Sequence, residues 1–522
     1  MTSASFAQII ERKRPTEWKN LVKGGQFIDL FLPMTGKVLT TDTWGAACVK
    51  PRYIDNGLED HVLSYWGGNI VKDEKGVYHL YVCAWAENAE LGHWAWPYSS
   101  VYHATATNSV GPYTVQDSIG TGHNPEIFRS KDGSYVIYAI VGKNVKNFVS
   151  DNLNGPWTEG SFEFDPRDRK IIEGKSNMTF ASREDGSVLM VCRGGGVWIS
   201  KDGLSTYNQI SDKRVYPDVE GRFEDPVIWK DKIQYHLVVN DWYGRIAFYL
   251  RSKDGVKWVV DAGEAYAPGI AVHANGHKED WFKYERMKVL QGEHGRVSQV
   301  NFAVIDTLKH QDFALDTHSS KNISIPFNKG VLIELQNKKM ITAKTKEIAV
   351  KILAEEGFNP QTDIDINSLR FGAPTEVNFG RGSTVLRTEN VGNDLLVTFA
   401  GEGNGITPDE FAPKLLGTYK NGMPLYAYTR VPWIDYVEPI LSARAVKMNE
   451  NTASVVVENF GQVAASKVLV NFVAQTQSGE QVNIGKRKIR NIAAYGSQTL
   501  SVDFPKKINA KEIKSISTEI IF

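Results

Sequence analysis

From about residue 60 to residue 340 the chain is written in short apolar runs rich in β-branched and aromatic side chains. Examples are VYHLYVCAW (residues 77–85), SYVIYAIVG (134–142), SVLMVCRGG (187–195) and IQYHLVVND (233–241). Turn signals such as Lys75-Gly76 and Asp132-Gly133 precede them, and helical periodicity is almost absent, so the pattern predicts antiparallel sheet. A helix is expected only in residues 6–22, FAQIIERKRPTEWKNLV, broken near Pro15, whose ring cannot continue the hydrogen-bond ladder.

The runs repeat. WGGNIVKDEKGVYHLY, HNPEIFRSKDGSYVIY, SNMTFASREDGSVLMV, EDPVIWKDKIQYHLVV and, more loosely, ERMKVLQGEHGRVSQVNFAV each lead from a short motif into a strand, a turn and a second strand. Setting their apolar positions in register places Gly67, Asn124, Asn177, Asp225 and Arg286 in one column, with Trp66, His123, Ser176, Glu224 and Glu285 just before it. Outer-strand echoes, GPYTV against GPWTEG and SKDGLSTY against SKDGVKW, reinforce the repeat. A period of roughly 50 residues is the mark of propeller blades, and five repeats predict five blades whose innermost strands line a central channel.

PFNKGVLIELQNKKMITA (326–343) reads as a closing strand and exit. Two further stretches of alternating strands follow, with turn signals about every ten residues, which suggests immunoglobulin-like sandwiches. The expected organisation is all-β. An N-terminal extension over 1–59, with its short helix packing on the propeller, precedes a five-bladed β-propeller over 60–344. A β-sandwich over 345–435 and a C-terminal immunoglobulin-like sandwich over 436–522 complete it.

Composition changes this picture little. Of 522 residues, 42% are hydrophobic and 23% charged, the profile of a folded globular protein, and the formal net charge of +0 offers no overall attraction for nucleic acid or an anionic membrane. Cys48, Cys83 and Cys192 are widely spaced and odd in number, which gives neither a disulfide framework nor a zinc-finger spacing, so buried thiols are the plain reading. No run of eighteen apolar residues occurs, and the start lacks the apolar stretch of a secretion leader.

The residue opening each innermost strand points toward the propeller axis, where five chain-distant residues converge. A column of Asn, Asn, Asp and Arg preceded by His, Ser, Glu and Glu is strongly polar for positions that open buried strands. A cavity facing water or a hydroxylated ligand explains it, as does a ring of mutual hydrogen bonds that closes the propeller. The EDP motif at Glu224, Asp225 and Pro226 is the sharpest feature, because a glycosidase needs one carboxyl protonated and one ionised. Glu285 is a third carboxyl at that level, and His123 and His273 are candidate proton donors, since imidazole titrates near neutrality.

Tryptophans suit the apolar faces of sugar rings. Trp66, Trp85, Trp94, Trp96, Trp242 and Trp281, with Tyr98 and Tyr243, gather near the expected mouth, where core packing is the competing explanation. The loop ENAELGHWAWPYSS (87–100) is too long and aromatic for a plain turn and is expected to wall the pocket. Arg286 on the axis points to an anionic or heavily hydroxylated ligand, with Arg193 a second cation; Asn69, Asn124 and Asn177 supply polar contacts.

With HNPEIF, EDPVIW and the SKDG and GPW outer strands, residues 60–340 resemble the five-bladed propeller glycosidases of glycoside hydrolase families 43, 32 and 117. The resemblance implies an exo-acting hydrolase that removes terminal furanosyl or anhydro sugars from plant or algal glycans. The chain departs from the family 43 pattern: Gly67 and Asn124 stand where that family has Asp, and Ser176 or Asn177 where it has the Glu acid. Of that set Asp225 alone survives. Likeness to family 117 implies instead a carboxylate from Asp225, Glu224 or Glu285 working with His123 or His273, by inversion, on an anhydro or acidic sugar such as those of red-algal galactans.

Two other classes remain open at this point. The propeller could be a glycan-binding module that does not cut, or a polysaccharide lyase using His123 with Arg286 and Asn124. The expected partner is an oligosaccharide, not nucleic acid or membrane, with the C-terminal sandwiches available for homodimer contacts. No cofactor is required; a calcium ion on a propeller axis is compatible with the fold, but no oxygen-ligand loop indicates one. A periplasmic or secreted bacterial location is expected, with a cytoplasmic one left open.

Overall fold

Five sheets follow one another between Leu63 and Pro326, antiparallel but for the short parallel pairing of Phe164–Asp165 with Tyr207–Gln209 in the third, and in each one strand faces the centre. These inner strands are Leu63–Lys72, His123–Arg129, Thr179–Ser182, Phe223–Lys230 and Lys283–Gln291. Each touches the next and the fifth touches the first, so the sheets close into a five-bladed propeller, as the repeat predicts. The computed structural model describes residues 9–172, 175–505 and 510–521.

The blades are built from the alternating runs. In Tyr135–Val141 and Tyr235–Asp241 nearly every side chain is buried, because these middle strands pack against the neighbouring blade on both faces. Val136, Tyr138, Phe180, Met190 and Trp198 share one inter-blade cluster; Leu189, Ile199, Ile228, Leu237 and Leu250 belong to the next. Each such side chain contributes about 1.5–3 kcal/mol by leaving water.

Ring closure differs from the sequence expectation. Ile333–Leu335, read as the closing strand, pairs with Glu347–Ile352 in a later sheet. The open edge of blade 5, Ser320–Pro326, is covered by the N-terminal segment: Leu58 bridges Asn322, and the Asn56 amide exchanges hydrogen bonds with the Ser324 backbone at 2.7 and 2.9 Å. That pairing satisfies donors and acceptors which an edge strand leaves bare. The helix expected over 6–22 is, in its described part, one 3-10 turn at Thr16–Asn20, and residues 6–8 of that expectation lie outside the described residues. Pro15 sits at its N-cap, where a missing N–H costs nothing.

After the propeller, a seven-stranded sheet runs from Ile333 to Tyr428 and wraps a core that includes Ile348, Val350, Phe371, Phe399 and Leu415. Beyond it, strands Thr452–Asn459 and Ser497–Asp503 face Val468–Thr476, Gln481–Ile489 and Ile513–Ile521 across Val455, Val457, Val470 and Phe472. This last unit docks on blade 3: the Arg167 guanidinium, fully buried, pairs with Glu458 and donates to Ser442 O at 2.9 Å. Among the described residues no helix is long and apolar enough to cross a membrane.

Candidate active site

The aligned column is a structural reality at the backbone. Gly67, Asn124, Asn177, Asp225 and Arg286 all have left-handed φ, between 48 and 69°. In blades 1, 2, 4 and 5 the register with the neighbouring strand slips there, between Trp66 and Asn69, His123 and Glu126, Glu224 and Val227, and Glu285 and Lys288. Such a bulge re-aims a side chain, here toward the axis. Glycine, asparagine and aspartate tolerate left-handed backbone, whereas other L-residues lose roughly 1–2 kcal/mol. Arg286 adopts it nonetheless, and its guanidinium lies 3.0 Å from Asp225 Oδ1.

Around the axis these side chains bond to one another. Asn124 Nδ2 donates to Asn177 Oδ1 at 3.5 Å, Asn177 Nδ2 donates to Asp225 Oδ1 at 3.0 Å, and Arg286 completes the arc over Gly67. Asp225 Oδ2 is buried without a hydrogen-bond partner. Both readings of the polar column therefore hold in part: it ties blades 2 to 5 together and leaves one carboxylate oxygen unsatisfied at a small axial cavity. That cavity also presents Arg286 and Lys288, and two cations beside one carboxylate do not make a calcium site.

The residues just before the column carry the titratable groups at this end of the axis. Glu285 is clasped by Lys283 at 2.7 Å and Lys309 at 2.6 Å. Burial opposes its charge, but the two ammonium groups outweigh burial and hold the carboxyl well below the ordinary range. Glu224 occupies the equivalent position on the adjacent blade, and its carboxyl is pushed up by burial, then by the charges of Asp225 and Glu285. Arg193 and Arg222, at 3.9 and 3.6 Å, are too loosely placed to reverse this. Two neighbouring carboxyls pushed in opposite directions are the arrangement that separates an acid from an ionised partner.

His123 joins this group, but burial and then the charge of Arg286 lower its pKa to about 3. It is a neutral ring near pH 7, so the expectation that it serves as a proton-donating imidazolium is corrected. Trp96 meets it edge-on at 4.4 Å. Trp66 and Trp242 each lie under a lysine: Lys309 is 4.6 Å over Trp66 and Lys283 4.3 Å over Trp242. In the loop 87–100, Trp96 lies against His123, while His93 is sealed beneath Trp66 and Trp85.

Two expected residues serve elsewhere. His273 meets Glu279 at 3.1 Å and packs against Tyr53, ring centroids 4.0 Å apart, under the N-terminal segment, with Trp281 donating to the same Glu279; this buried contact ties the N-terminal segment to the propeller. Asn69 spends its amide on the backbone of Ile127, at 2.9 and 3.0 Å, and so fastens blade 1 to blade 2. Trp94, also expected near the mouth, is 44% exposed.

Lys283 and Lys309 were absent from the sequence expectation. Lys283 had a signal, since residues two apart on a strand share a face and it stands two before Glu285. Lys309 arrives from an irregular excursion and had none. Glu126, also unpredicted, pairs with Lys288 beneath the column and accepts from Thr179 Oγ1 and the Phe180 N–H at 3.0 and 2.8 Å.

No protein-family model matches the chain, and no curated protein matches it. Among solved structures it is similar to a glycoside hydrolase at 10% identity and a TM-score of 0.39, covering 89% of this chain and 99% of that one. It is also similar to Zg3597, a family 117 glycoside hydrolase produced by the marine bacterium Zobellia galactanivorans, at 13% identity and a TM-score of 0.36, over 57% of this chain and 89% of that one. An α-L-arabinofuranosidase from Lactobacillus brevis gives 13% identity and a TM-score of 0.36 over 51% and 92%.

Proposed function

We propose that the axial chamber is the active site of an exo-acting glycoside hydrolase, with Glu224 protonating the leaving oxygen and Glu285 as the ionised partner that opposes it. The observation that carries this reading is the pair of carboxyls at equivalent positions of adjacent blades, one pushed up and the other held down. Proton donation requires a carboxyl that keeps its proton near neutral pH, and the opposing group must stay ionised to activate water. In this reading Asp225, fixed by Arg286 and Asn177, forms the floor of the site.

Lysines 283 and 309 and arginines 193 and 222 around tryptophan walls favour a terminal sugar that carries negative charge, a uronate or a sulfate ester, on an algal or plant oligosaccharide. Incubation with paired acidic and neutral oligosaccharides, followed by chromatography and ultraviolet absorbance, tests this. Release of a terminal monosaccharide from the acidic member, lost in Asp225→Asn and without new absorbance, supports the reading. An unsaturated product identifies a lyase.

A binding-only propeller is the second reading, and the self-bonded column favours it, since Asn124, Asn177, Asp225 and Arg286 direct most of their polar atoms at one another. Retardation by one glycan in affinity gels with no product from any glycan supports that alternative.

A further inference from the structure

Away from the chamber floor, the N-terminal segment crosses the mouth side of blade 5. Ala47 N–H donates to Thr317 O at 2.7 Å, and Gly45 approaches so closely that an added Cβ would lie 2.6 Å from the Ser319 side chain. Arg52 Nη1 holds the carbonyls of Gly45 and Ala46 at 3.3 Å each. This clamp sets Cys48 against the two ends of the excursion 306–319. Asp306 follows strand Val297–Ile305 and His318 precedes strand Ser320–Pro326.

Ligand atoms of Cys48, Asp306 and His318 all lie within 4.8 Å of one another. We propose that these three side chains form a binding site for a zinc-class divalent transition metal. A second observation points the same way. The Asp306 side chain is fully buried; Oδ2 meets His318 Nδ1 at 2.9 Å, while Oδ1 is buried with no hydrogen-bond partner. An orphaned buried carboxylate oxygen is costly, and a dication satisfies it.

Thiolate, imidazole and carboxylate together select zinc over calcium or magnesium, which take oxygen ligands. A tetrahedral zinc with bonds of about 2.0–2.3 Å holds its donors about 3.5 Å apart, a spacing that lies within the spread of the cluster. The buried carboxyl of Asp312 lies within electrostatic reach of Glu87, Asp316, Asp306 and His318, so the surroundings are strongly acidic. Cys48 is exposed, which leaves an entry path and a fourth position for water. The ion ties the N-terminal segment to both ends of the excursion that carries Lys309. This assignment stands whether or not the chamber hydrolyses glycans.

The test uses the full chain, stripped with chelator under reducing conditions and titrated with zinc chloride in a calorimeter, with cobalt(II) as a spectroscopic substitute. One ion per chain is expected, with a thiolate-to-cobalt charge-transfer band in the near ultraviolet. Cys48→Ser, at an exposed position that leaves folding intact, abolishes the band and weakens zinc about 100-fold or more, as does His318→Gln. Absence of stoichiometric binding by the unaltered chain, or equal binding and an unchanged band in Cys48→Ser, overturns the assignment.

Discussion

Lys309 reaches from the long excursion of blade 5 to set its ammonium 2.6 Å from Glu285 Oε2, where the carboxylate side chain is 2% exposed. A lysine without sequence signal thus fixes the charge of a residue on the axial strand. Removing one partner of a buried pair costs about 3–5 kcal/mol, and because Lys283 stays, the lower end applies to Lys309→Met. A group held below its unfolded pKa adds stability above that pKa and loses it as pH falls through the folded value. The deficit of Lys309→Met is therefore full at pH 7 and shrinks only as pH falls below the ordinary carboxylate range, as urea denaturation at pH 7 and pH 3 will show.

Glu224 behaves in the opposite sense. Its raised pKa means that folding favours the protonated form, so its contribution is present below the unfolded pKa and is lost as pH rises through the folded value. Glu224→Gln is expected to match the unaltered protein at pH 4 and to be the more stable of the two at pH 8. Denaturant midpoints at both pH values check this.

The equivalence of the five axial positions predicts an asymmetry between two adjacent glycines. Gly67 has open space, with an added Cβ 3.6 Å from Arg286, and the same site holds asparagine in blades 2 and 3. Gly67→Asn should stay within about 1 kcal/mol of the parent. At Gly68 the added Cβ falls 2.2 Å from Tyr81 O, and Gly68→Ala should lose about 3 kcal/mol or more. Thermal melts compare them directly.

His123, with its pKa lowered to about 3, should show the chemical shifts of a neutral imidazole from pH 8 down to pH 4. Nitrogen-detected NMR of the ring, assigned with His123→Gln, reads this.

Much of this was legible in the chain because propeller blades repeat a local pattern. Runs such as SYVIYAIVG and IQYHLVVND become the buried middle strands, and the register of their apolar positions carries the left-handed column from Gly67 to Arg286. Other parts depend on contacts between segments with no shared period. The closing contact of blade 5 comes from Asn56 and Leu58, more than 260 residues upstream of Asn322 and Ser324, through backbone hydrogen bonds that leave no apolar signature. His273 and His123 look alike as isolated histidines; one meets Glu279 and the other Arg286, and their partners decide their roles.

The most direct measurement is the rate of monosaccharide release from an acidic oligosaccharide by the unaltered protein and by Glu224→Gln, followed from pH 5 to pH 9. If Glu224 is the proton donor, the unaltered protein loses activity as pH rises through its raised pKa, and the variant is slower by about 100- to 10,000-fold without that alkaline limb. Equal rates in both proteins, or a variant that keeps the alkaline limb, would contradict the account.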